Sequence, residues 1–307
     1  MYSDQVILSI HYHKTGCVLS MKLYELFKSY TNNQISHHKN PIQPRRYLIN
    51  NDGSFSCEKI NILSNTRYTI YNQAAPNFFN NIFNDMPCIN KIVHYVRESY
   101  DWCISNYLYH SRIPTPESFF LHIKPDIDDW YNEEELKFMV NQINLDYKYI
   151  HDLIDYIKSI YDCPKDKSYY EYLISLSLEK GLIIETCRFL LNNMDHYRMV
   201  IISQLLKPHS NTITLCMDNF RNSNISTTIP SLYKFIFDQQ LLPAEYTNII
   251  TEYTDDYNNS NHKTHNSISS FKRNELVNVL KKENSISYIL DYINLYTPPT
   301  SINYSIV

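Results

Sequence analysis

Apolar residues occur along the chain in two kinds of run. Val6 to Ile10 is compact and continuous, which predicts a first strand. Over residues 17–29 the apolar positions Val18, Leu19, Leu23, Leu26 and Phe27 recur at helical spacing. Residues 31–45 are polar and contain prolines, which predicts a loop. Tyr47 to Ile49 and Arg67 to Tyr71 read as short strands, and Pro76 opens a short helix over 76–85. Residues 90–97, NKIVHYVR, form a strand of the buried type, and a helix follows from Tyr100 to about His110. From about Trp130 to Leu206 nearly the whole chain carries a helical pattern, interrupted at Asp162-Cys163-Pro164 and near Gly181. Thr212 to Cys216 is a return strand. Helices follow from about Ile229 to Gln239, over 271–282 and over 285–295, with a polar loop predicted at 252–270.

Strands alternating with helices predict an α/β fold with a central parallel sheet flanked by helices. No internal repeat or linker divides the chain. The expectation is one domain over residues 1–307 with a large helical insertion at about 130–206. With 43% hydrophobic residues the chain can fill a sizeable core. A net charge of −4 and a pI near 6.3 argue against a general nucleic-acid binder, which carries a basic surplus. They leave room for a local basic pocket. No stretch approaches the ~18 apolar residues of a membrane span, and the N-terminal apolar run is too short for a signal sequence. A soluble cytoplasmic protein is expected. The seven cysteines lack paired spacing and read as buried reduced thiols. Glycine is scarce: three residues, where an average usage of about 7% would give roughly twenty. Those that survive this bias, Gly16, Gly53 and Gly181, are the more informative.

Two segments carry candidate chemistry. Ile10-His11-Tyr12-His13-Lys14-Thr15-Gly16-Cys17 joins the first strand to the first helix. At such a turn backbone N–H groups point outward and the helix dipole favours an anion. Gly16 permits close approach of the backbone, Lys14 adds a mobile charge and Thr15 a hydroxyl donor. The pattern G-x-x-x-x-G-K-[ST] is absent, because the lysine precedes the glycine. His11 and His13 share one side of an extended chain, a spacing more often structural than metal-binding. The second segment is VRESYDWCISNYLYH. Arg97 ends a strand where open α/β sheets bind ligands, and Ser105 follows one and a half turns into the next helix. A guanidinium and a hydroxyl suit a second phosphate.

Together these segments resemble the sulfotransferases that use 3′-phosphoadenosine 5′-phosphosulfate (PAPS). HKTG is similar to that family's 5′-phosphosulfate loop, and the pair Arg97 and Ser105 to its 3′-phosphate site. The resemblance covers residues 5–30 and 90–112 well. More weakly, LCMDNFRNS with TTIPSLYKFI resembles a strand, acidic turn and helix. NHKTHNSISSFKRNEL resembles the family's C-terminal cofactor loop, in which Lys263 would help hold the 3′-phosphate.

The resemblance implies a P-loop-like sulfotransferase fold, PAPS as donor with the bisphosphate PAP as product, and no metal. Lys14, Thr15, Gly16, Cys17 and Val18 would surround the 5′ side. The acceptor would be a hydroxyl or amine of a carbohydrate or small molecule. The family's base histidine or glutamate has no counterpart in Tyr71-Asn72-Gln73-Ala74-Ala75-Pro76. His13, beside the lysine, and Glu185, in a helix beside Gly181, are the candidate bases, the glutamate with a pKa raised by burial. The competing expectations are a PAP- or PAPS-binding protein without the chemistry and, behind it, a P-loop-like kinase.

Overall fold

A computed structural model of the chain describes residues 5–12, 17–30, 35–38, 68–74, 90–111, 122–207, 210–220, 224–259 and 270–297. The strand expected at 47–49 and the helix expected at 76–85 lie outside these residues, as do Gly16 and Gly53. The described residues form an α/β arrangement that is mostly helical. Its strands are β1 (Gln5–His11), β2 (Ile35–His38), β3 (Tyr68–Ala74), β4 (Lys91–Val96) and β5 (Thr212–Cys216). Its helices are α1 (Cys17–Tyr30), α2 (Ser99–His110), α3 (Glu133–Gln142), α4 (Tyr147–Ile160), α5 (Tyr169–Ser175), α6 (Leu178–Arg188), α7 (Asp195–Leu206), α8 (Ile225–Phe237), α9 (Pro243–Asn259), α10 (Ser270–Lys281) and α11 (Asn284–Asn294). Contacts divide the chain into two compact units.

The first unit comprises Met1–Arg97, Ile202–Ser260 and Thr297–Val307. All five strands belong to it, paired in parallel in the order β2-β3-β1-β4-β5. Alternation along each strand sends Ile7, Val93, Tyr95, Ile213 and Leu215 to one face, where they meet Phe27 of α1, Leu232 and Ile236 of α8 and Ile249 of α9. Each such side chain contributes about 1.5–3 kcal/mol by leaving water. Leu8, Ile10, Ile92 and Val96 alternate with them and are also buried, which explains why β1 and β4 read as continuous apolar runs. Lys91 closes the far end of α8: its Nζ donates to the carbonyls of Phe235 (2.7 Å) and Ile236 (3.2 Å) and to Asp238 (2.7 Å). A cation there meets the negative end of the helix, and Asp238 turns the chain at φ 55°.

Two elements of this unit differ from the sequence pattern. β2 lies inside the stretch read as loop. Its four residues, ISHH, hold a single apolar side chain, and pairing with β3 defines the strand. α9 runs through the start of the polar stretch at 252, anchored by Ile249 and Tyr253.

The second unit comprises Glu98–Ile201 and Asn261–Tyr296. The helical stretch after Trp130 resolves into α3 to α7. Each of the next three starts with a side-chain cap: Asn132 on α3, Asp146 on α4, and Ser168 on α5 in a capping box with Glu171. The acidic run 126–135 holds a short 3-10 turn capped by Asp126 and the start of α3 capped by Asn132, with Ile127 and Trp130 buried among exposed carboxylates. α4 buries Ile150, Leu153, Ile154 and Ile157, one face at helical spacing. The break at Asp162-Pro164 separates α4 from α5. The break expected near Gly181 falls earlier, where Ser177 caps α6. Gly181 lies inside α6 because α2 passes close to it: a Cβ there would stand 2.8 Å from the hydroxyl oxygen of Tyr107 and 2.9 Å from its ring.

The substitution Gly181→Ala therefore sets a helix preference of about 1 kcal/mol against overpacking of about 1–3 kcal/mol. Tyr107 is buried and its ring is rigid, so net destabilisation is expected in urea unfolding. A stabilised variant would mean that the tyrosine swings aside freely.

Candidate functional site at the carboxyl ends of β1 and β4

Two connections leave the sheet in opposite directions. From β1 the chain passes to β2, beyond β3. From β4 it returns at β5, on the opposite side. β1 and β4 are neighbours, with Ile10 opposite His94. Adjacent parallel strands with diverging connections open a crevice at their carboxyl ends, the ligand site of open α/β sheets. β1 ends at His11 and α1 starts at Cys17, while β4 ends at Val96, directly before Arg97. The two segments picked out for anion binding thus follow neighbouring strands at one edge of the sheet. β5 ends beside β4, with Val96 opposite Cys216, and its turn Met217–Phe220 carries the buried Asp218.

Cys17 and Val18 are the first two residues of α1. Arg97 is 1% exposed, and its carbonyl accepts from Thr297 Oγ1 at 3.4 Å. His13, Lys14, Thr15, Gly16 and Lys263 lie outside the described residues. Beside the crevice, the Tyr12 hydroxyl hydrogen-bonds His94 Nε2 at 2.8 Å, and His94 Nδ1 faces Thr214 Oγ1 at 3.5 Å. Burial, with His11 nearby, lowers the pKa of His94 to about 3, so the ring is neutral. The sequence offered a signal for this pair only in hindsight: a histidine within an otherwise apolar strand.

Ser105 and Glu185 belong to the second unit. Ser105 is buried in α2. Glu185 of α6 is fully buried and saturated with donors. Arg188 reaches both of its oxygens, Nε to Oε2 at 2.8 Å and Nη2 to Oε1 at 2.6 Å. His110 Nδ1 (2.7 Å) and Asn106 Nδ2 (2.8 Å) donate to Oε1, and Tyr169 (2.6 Å) donates to Oε2. Burial alone would raise this carboxyl, but the Arg188 guanidinium and His110 outweigh it and hold the pKa well below the usual range. The expectation of a raised pKa is corrected accordingly. Glu185 ties α2, α5 and α6 together, and its partners come from helices that sequence spacing does not connect.

Cys103 and His196 form a second buried pair, Sγ to Nε2 at 3.8 Å, with the imidazole 4.1 Å from the Trp102 ring. Burial raises the thiol well above its ordinary value and lowers His196 to about 3. Both are neutral, unlike a thiolate–imidazolium nucleophile. Four described cysteines are free thiols, and Cys103, Cys187 and Cys216 among them are buried. Among the described residues no group of three or more histidines, cysteines and carboxylates is gathered as a metal site, and no helix is long and apolar enough to cross a membrane. The chain matches no family model, no curated protein and no solved structure.

Removing the Glu185 charge strands Arg188 in the core. Glu185→Gln is expected to cost about 3–5 kcal/mol in chemical denaturation, and a loss under 1 kcal/mol would show that the charge is dispensable. The neutral histidines set a pH dependence. Their folded pKa values, about 3, lie below the ordinary 6.5, so the unfolded chain binds more protons between these limits. Their contribution is complete above pH 6.5 and is lost as pH falls towards 3, by about 1.4 kcal/mol per unit for each. His196→Phe should flatten stability against pH by about one proton between roughly pH 6.5 and 5; an unchanged slope would contradict a neutral His196.

Proposed function

We propose that the chain is a sulfotransferase that takes a sulfuryl group from PAPS and passes it to a hydroxyl or amine of a carbohydrate or small molecule. The observation that carries this reading is topological. The two segments whose residues suit phosphates follow adjacent parallel strands, at the point where the chain connections diverge. An anion at that edge meets the first turn of α1 from one strand and Arg97 from the other.

In the proposed reaction the transition state is loose, and positioning with charge stabilisation does most of the work. Lys14 stands by the bridging oxygen and stabilises the charge that grows on the departing phosphate. Thr15, Gly16 and the backbone at Cys17 and Val18 receive the 5′ side. Arg97 holds the 3′-phosphate. His13 is the remaining candidate base, since the carboxylate of Glu185 is fully engaged with its five donors.

The end of β3, Asn72-Gln73-Ala74, offers no acid or base, and this favours a second reading: a protein that binds PAP or PAPS without transferring sulfate.

Calorimetric titration with 3′,5′-adenosine bisphosphate, with AMP and ATP as controls, tests the nucleotide site. A dissociation constant on the order of 1 µM is expected, corresponding to about −8 kcal/mol. Arg97→Lys, which keeps the charge but loses the planar fork, should weaken it about tenfold or more. Absence of binding, or tighter binding of ATP with Mg²⁺, would refute the reading. Sulfate release from PAPS then separates enzyme from binding protein.

A further inference from the structure

Where β1 meets α1, the first unit replaces apolar packing with a chain of buried hydroxyls and one imidazole. His11 is the last residue of β1. Its Nε2 lies 2.8 Å from Ser9 Oγ and 3.2 Å from Ser20 Oγ. Ser9 is two residues back on the same face of the strand, and Ser20 is in the first turn of α1. One ring nitrogen therefore spans the end of the strand and the start of the helix. The ring lies flat on Tyr95 of β4, centroids 4.5 Å apart and planes 14° from parallel. Tyr24, one turn further along α1, closes the network: its hydroxyl is 3.0 Å from Ser9 Oγ and 3.1 Å from the Tyr95 hydroxyl. All five residues are buried.

Further along this face Ile7, Val93, Ile213 and Leu215 pack in an apolar cluster. Apolar packing is non-directional and fixes a helix loosely along its axis. Hydrogen bonds are short and angular, and buried polar groups carry a desolvation cost unless every geometry is met. The polar network stands at the carboxyl end, at the edge where the first N–H groups of α1 lack intrahelical partners by the geometry of any helix.

We propose that His11 is a positioning residue that, through Ser9 and Ser20, fixes the first turn of α1 against the β1–β4 crevice, so that its N–H groups meet the 5′-phosphate side of the bound nucleotide. This rests on the nucleotide-site reading above. The ring itself touches no ligand; it acts through the helix.

The test compares two ligands, 3′,5′-adenosine bisphosphate and adenosine 3′-monophosphate, which lacks the 5′-phosphate. Ser20→Ala removes the helix end of the bridge. It should weaken the bisphosphate about tenfold, or about 1.4 kcal/mol, and leave the 3′-monophosphate within about twofold. His11→Gln keeps an acceptor for both hydroxyls and should retain most of the bisphosphate affinity. Equal loss for both ligands, or full bisphosphate affinity in Ser20→Ala, overturns the positioning role while the nucleotide site stands. A wild-type protein that binds neither ligand removes the nucleotide reading, and the positioning role falls with it. Binding of the 3′-monophosphate by each variant is itself the check that it has folded.

Discussion

The pairing of β1 with β4 sets the geometry on which everything at the candidate site depends. Each strand alone is a run of apolar residues followed by a polar turn. Side by side and parallel, with Ile10 opposite His94, they bring two separate turns to one edge. The register matters as much as the pairing. A slip of one residue would carry His11 and Tyr95 to opposite faces and leave each imidazole without its present partners. Hydrophobic burial drives the sheet together, while the polar contacts at its carboxyl end select one alignment.

The two units bury polar groups in different ways. In the first, hydroxyls and one imidazole share hydrogen bonds in the contacts among Ser9, His11, Tyr24 and Tyr95. In the second, a full carboxylate is enclosed among Arg188, His110, Asn106 and Tyr169. Such a charged centre holds its helices in one arrangement more than it adds net stability, because desolvation offsets most of the attraction. The arrangement depends on every partner being present at once.

Much of the fold was legible in the chain. β1 and β4 were visible because buried parallel strands are nearly continuous in apolar residues, and β5 because its β-branched and apolar residues alternate. Most of the helices were visible because one face of each is apolar at regular spacing. The edge strand β2 was not, since its His37 and His38 carry no apolar signal. The helix expected from about Ile229 begins a turn earlier, at Ile225, over polar residues that carry no apolar signal, and Thr228 bonds back to Asn224 there. At the site, the sequence identified Arg97 by its place after a strand. It could not reveal that Glu185 is enclosed, because Asn106, His110 and Tyr169 reach it from other helices. Nor could it pair His11 with Ser20, a contact made by the return of α1 over the sheet.

The position of β5 has a consequence for synthesis. Its partner β4 is complete at Val96, yet β5 begins only at Thr212, and most of the second unit is made in between. At about 5–20 residues per second, this interval lasts on the order of ten seconds. Throughout it, β4 presents an open edge of unpaired backbone with Ile92 and Val96 along it, the kind of surface that recruits other strands. The sheet cannot close on that side until Thr212–Cys216 has been made, so the exposure of the β4 edge is set by the length of chain that separates the two strands.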